Sequence, residues 1–217
     1  MIAVPTNNLK SELVQKIGRD KVLEIPSFED LPLPPELRQT IEKNYSMGFI
    51  NDALESIKTY AHNSKDNSIF MNYLHPETAL AHSSKCVIMT HARFLTLPNR
   101  VLIDEDILYT MLTRTGSVQI SSLKKALKAN VFSPEKQIEI EELLKLKDNK
   151  CCRNRNRYSL KLDMGTLKNC KTTDNLIDFA KADCYMKQKD CIKYLAPVQL
   201  PKCKMIILSA TLDETIY

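Results

Sequence analysis

The feature that most constrains this chain is the run Arg100-Val101-Leu102-Ile103-Asp104-Glu105-Asp106, in which three apolar residues pass directly into three carboxylates. Three consecutive apolar residues bounded by polar ones describe a short strand buried on both faces. Acids at the carboxyl end of such a strand can hold a hydrated magnesium ion and an attacking water beside a nucleotide phosphate. Two further stretches share the design of an apolar strand followed by polar residues: Ile2 to Leu9 (Ile-Ala-Val-Pro-Thr-Asn-Asn-Leu) and Met205 to Leu212 (Met-Ile-Ile-Leu-Ser-Ala-Thr-Leu).

Between them the pattern alternates. Pro5 ends the first strand, Thr6 and Asn7 or Asn8 can cap, and Leu9, Leu13 and Ile17 repeat at helical spacing up to Gly18, a natural stop. Lys21 to Ile25 and Cys86 to Met89 read as further strands. Leu37, Ile41 and Tyr45, then Ile50, Leu54, Ile57 and Ala61, fall on helical faces, with Gly48 between two helices. After the acidic run, Thr115-Gly116-Ser117 reads as a break, Leu123 and Leu127 as a basic amphipathic helix, and Ser133-Pro134-Glu135 as a helix start. Thr173 or Asp174 can cap a later helix. The expected fold is α/β: a mainly parallel sheet covered on both faces, with two largely helical insertions. The core occupies 1–114 with an insertion at about 30–84; 115–200 is a mainly helical insertion; 201–217 returns to the core. In such sheets ligands collect at the carboxyl ends of the strands, where all of these polar residues lie.

Composition narrows the function. The chain has 217 residues, 43% hydrophobic and 26% charged, which are globular values. Its four glycines are scattered singly, and no Gly-x-x-x-x-Gly-Lys-Ser/Thr phosphate loop occurs. A net charge of +5 fits a nucleic-acid partner. Seven cysteines without a signal peptide point to reduced thiols and a cytoplasmic location. No apolar run reaches the roughly 20 residues of a membrane span. Cys151, Cys152, Cys170, Cys184, Cys191 and Cys203 have irregular gaps and no Cys-x-x-Cys pair, so their spacing gives a zinc site no support.

Taken in order, Val4-Pro5-Thr6-Asn7-Asn8-Leu9, Ile103-Asp104-Glu105-Asp106 and Leu208-Ser209-Ala210-Thr211 resemble three motifs of the superfamily 2 helicases of DEAD/DEAH type. These are the Pro-Thr motif, the Asp-Glu-x-Asp/His motif and the Ser-Ala-Thr motif. Thr90-His91 resembles a further DNA-contacting motif that some members carry before the acidic one. The resemblance implies an incomplete RecA-like domain of the P-loop NTPase type, the first motor domain of an ATP-dependent helicase or translocase. It implies that Asp104 holds magnesium through water and that Glu105 orients and deprotonates the water attacking ATP. Asp106 joins Asp104 at the cofactor site; the motif's fourth position is Ile107 here, where the family has Asp or His. Ser209 and Thr211 would couple the nucleotide site to nucleic acid, more specifically DNA. Thr6, Asn7, Thr90 and His91 would meet its backbone, with Lys10 and Arg93 as helpers. Only Cys86 lies where some members hold an iron-sulfur cluster through four cysteines, which argues against that cluster.

The same resemblance places a phosphate loop ahead of the Pro-Thr motif and a second motor domain with an arginine finger after the Ser-Ala-Thr motif. The chain is therefore expected to be a fragment whose partner is the remainder of the helicase, and to be inactive alone. The alternative is a non-enzymatic module that binds nucleic acid or a partner through Lys150 to Arg157, where Arg153, Arg155 and Arg157 alternate with polar residues.

Overall fold

The computed structural model describes residues 1–81, 83–94, 101–104, 113–155, 162–170, 172–198 and 204–208; Glu105, Asp106, Arg157, Ser209 and Thr211 lie outside them. In chain order the strands are β1 (Ile2–Val4), β2 (Val22–Glu24), β3 (Cys86–Thr90), β4 (Val101–Asp104), β5 (Thr113–Gln119), β6 (Cys151–Arg153), β7 (Cys184–Lys187), β8 (Cys191–Pro197) and β9 (Met205–Leu208). The helices are α1 (Asn7–Ile17), α2 (Pro35–Ser46), α3 (Ile50–His62), α4 (Ser68–Leu74), α5 (Pro76–Ala81), α6 (His91–Phe94), α7 (Ile120–Lys128), α8 (Pro134–Lys145), α9 (Met164–Asn169) and α10 (Leu176–Lys181). They divide into two compact units, Met1–Arg38 with Leu54–Leu112 and Val198–Tyr217, and Gln39–Ala53 with Thr113–Pro197.

The first unit is built on a five-stranded sheet of order β2-β3-β1-β4-β9 in which every pair is parallel. Local chemistry sets the first crossover. Pro5 cannot extend β1 as a donor. Thr6, extended at φ −131° and ψ 156°, then caps α1 by accepting the Leu9 amide on its hydroxyl at 3.3 Å. Gly18, at φ 102°, stops the helix, and its amide donates to the Val14 carbonyl. Leu13, Val14 and Ile17 of α1 pack on Val22 and Ile88. In the opposite strand phase Ala3, Val87, Met89, Val101 and Ile103 join Ile25, with Met205 and Ile207 packed against them. Ile206 and Leu208, the alternate positions of β9, are 61% and 49% exposed.

The second unit holds, beside the helices expected for 115–200, a sheet not foreseen from the sequence. Its helices pack on this four-stranded antiparallel sheet of order β5-β8-β7-β6. The Thr-Gly-Ser break lies inside β5, where Gly116 pairs with Tyr194 of β8. A Cβ at residue 116 would fall on the Tyr194 ring, so this close approach needs glycine and hides the strand from a propensity reading. Ile192, Tyr194 and Ala196 are buried at alternate positions of β8 and meet Phe179, Ala180, Leu123 and Ile140 from the helices. Phe49, from the corner between α2 and α3, completes this core. Asn175, rather than Thr173 or Asp174, caps α10, accepting the Asp178 amide at 2.9 Å. Beneath the sheet the fully buried Lys136 donates to Glu139 Oε2 (2.9 Å), Asn154 Oδ1 (2.9 Å) and the Tyr185 hydroxyl (2.8 Å).

Candidate functional site

Parallel register aligns the carboxyl ends of the central strands. Val4 pairs with Thr90, and Asp104 pairs with Leu208. Ala3 pairs with Ile103, so the next step of the same register sets Val4 beside Asp104. Thr90, Val4, Asp104 and Leu208 therefore form one row across four strands. The residues after them, Pro5-Thr6-Asn7 and His91, leave the sheet from that row.

Asp104 is partly exposed at the end of β4. A single hard carboxylate open to water fits a magnesium ion held largely through its own hydration shell. Phosphates are a different case: they need a nest of backbone N–H groups and a lysine, and the sequence holds no such loop. Glu105, Asp106, Ser209 and Thr211, the other residues expected around the nucleotide, lie outside the described residues.

The residues expected to face nucleic acid differ in what their surroundings leave them to do. Thr6 is exposed, and its hydroxyl, while accepting the Leu9 amide, keeps a proton to donate. Asn7 is half-buried: its amide nitrogen donates to Glu29 Oε2 at 3.3 Å, and its Oδ1 lies 2.7 Å from the Ser27 hydroxyl. Lys10 is fully buried. Its ammonium lies 2.7 Å from Asp30 Oδ2, 3.1 Å from Glu24 Oε1 and 3.4 Å from the Ile25 carbonyl, so it is turned into the protein rather than toward a phosphate. Asp30 also accepts the Ser27 amide at 2.8 Å. Burial raises the Asp30 carboxyl, but the hydrogen bonds from Lys10 and Ser27 outweigh it and hold the group below its ordinary value.

Thr90 and His91 are buried at 7% and 3% exposure. Nε2 of His91 lies 2.8 Å from the backbone oxygen of Asp104. Arg93 donates to the Tyr73 carbonyl and stacks on the Tyr73 ring, with its guanidinium carbon 4.3 Å from the ring centre. As placed, Arg93 braces α6 against α4. Sequence reasoning missed Ser27, Asp30 and Tyr73, the partners that fix Asn7, Lys10 and Arg93. Nothing local marks them, because each meets its partner across 20 residues of chain.

Among the described residues no group of three or more His, Cys, Asp or Glu is placed to hold a metal ion, and no helix is long and apolar enough to cross a membrane. The described cysteines are free thiols, with Cys151 on the edge strand β6 and Cys184 on its neighbour β7. Arg153 is exposed on β6, and the Arg155 guanidinium lies 3.7 Å from Glu142. Comparison with protein-family models, with curated proteins and with solved structures found no match.

Proposed function

We propose that this chain contributes the nucleic-acid-facing and metal-holding edge of a RecA-like motor domain in an ATP-dependent helicase or translocase acting on DNA. The observation that carries this reading is the single row formed by Thr90, Val4 and Asp104, which gathers three separate motif-like segments at the carboxyl edge of one parallel sheet. In this reading Asp104 holds magnesium through water, Glu105 activates the attacking water, and Asp106 supports the cofactor site. Ser209 and Thr211 relay the nucleotide state. Thr6, Asn7 and the amino end of α1 meet the DNA backbone, where hydroxyl, amide and N–H groups suit sequence-independent phosphate contacts. Lys10 and Arg93 hold the supporting framework. ATP phosphates require a cradle that these 217 residues do not contain, so the proposed hydrolysis belongs to the assembled motor.

DNA-stimulated ATP hydrolysis by the longest polypeptide encoded through this segment tests the reading. Glu105→Gln should lower turnover by about 100-fold or more while nucleotide binding persists, as expected when a water-activating group is lost. Undiminished turnover in that variant would overturn the assignment.

A further inference from the structure

Among hydrogen bonds of the parallel ladder, Leu102 donates its amide to the Met1 carbonyl at 2.9 Å. Continuing that register along β1 and β4, the Ala3 amide serves the Leu102 carbonyl, the Asp104 amide serves the Ala3 carbonyl, and the amide of residue 5 would serve the Asp104 carbonyl. Residue 5 is proline and has no N–H. The carbonyl at the head of the acidic segment is thus left without its ladder donor, and Nε2 of His91 stands 2.8 Å from it. A carbonyl oxygen only accepts, so Nε2 carries the proton. The ring comes from the first residue of α6, directly after β3, which is separated from β4 by β1 in the sheet, so one side chain reaches across the end of an intervening strand.

We propose that His91 is a positioning residue, replacing the one ladder donor that Pro5 removes and fixing the Asp104 carbonyl through a side chain where the backbone ladder ends. Its bearing on a metal at Asp104 rests on the function proposed above. The remaining ladder bonds hold β4 to β1, and the histidine link adds a tie from the Asp104 carbonyl to the residue that follows β3.

The test uses the full chain and Mn2+ as probe. Selective 15N labelling of histidine should show His91 as the Nε2–H form. Broadening of the His91 ring signals by Mn2+ should give an apparent affinity that falls about tenfold in His91→Phe, the scale of losing a group that orients a metal ligand. His91→Gln, which keeps a donor, should lie nearer the wild type. Pro5→Ala restores a backbone N–H, so His91→Phe combined with Pro5→Ala should recover affinity to within about twofold of Pro5→Ala alone. An Nδ1–H form of His91, or equal damage from His91→Phe with and without Pro5, would overturn the positioning role. Broadening unaffected by Asp104→Asn would remove the metal from this site. In that event the latch is judged by the ring's protonation and by urea-unfolding stability of the same variants, where rescue by Pro5→Ala supports it and absence of rescue overturns it.

Discussion

Nζ of Lys10 lies 2.7 Å from Oδ2 of Asp30, the same oxygen that accepts the Ser27 amide at 2.8 Å. This ties α1 to the turn after β2 and places an acid with a depressed pKa in the first unit. The sign follows from proton counting. Below the unfolded value near 3.8 the unfolded chain takes up a proton that the folded chain still resists, so folding loses this contribution as pH falls through the folded value. Urea midpoints measured from pH 7 down to pH 3 should decline at the acid end, and Asp30→Asn should flatten that decline while lowering the midpoint at neutral pH.

Gly116 and Tyr194 face each other in the β5–β8 pair with no room for a methyl group between them. Gly116→Ala should destabilise the second unit by about 1–3 kcal/mol, the usual cost of overpacking a filled core. Tyr194→Leu opens that space, so adding Gly116→Ala to it should cost much less than it does in the wild type. Equilibrium urea unfolding of the four proteins measures the coupling directly.

Lys136 is the second buried cation, and its three acceptors leave it no contact with water. Burial draws its ammonium pKa down, and Glu139 restores part of the loss. Lys136→Ala should cost about 3–5 kcal/mol, because it leaves Glu139 Oε2 largely buried without its cation, while Oε1 keeps only the Arg155 amide. Lys136→Met combined with Glu139→Gln removes both charges and should recover a large part of that loss, again read from unfolding midpoints.

Much of the first unit was legible in the sequence because its signals are local. Apolar triplets mark β1, β3, β4 and β9, while Pro5, Thr6 and Gly18 frame α1. The second sheet was not legible for the opposite reason. β5 contains Thr-Gly-Ser, which reads as a turn until Tyr194 covers Gly116, and β6 is a three-residue edge strand rich in thiols and arginine. At the site, the positions of Asp104, Thr90 and His91 at strand ends were readable from spacing. The partners were not. Which groups hold Lys10, Asn7 and Arg93 depends on folding distant segments together, and a lysine that looks solvent-facing on a helical wheel is in fact fully buried.

The row across β3, β1 and β4 also limits how this chain can change length. A residue added or removed within one of these strands moves its terminal side chain by about 3.3 Å and turns it to the other face of the sheet. The turn between α3 and α4, exposed at Asn63 and Lys65 to Asn67, is under no such constraint, since a residue added there leaves Thr90 beside Val4. Sequence variants of this protein should therefore tolerate insertions and deletions between Asn63 and Asn67 and almost none between Ile2 and Thr6 or between Val101 and Asp104.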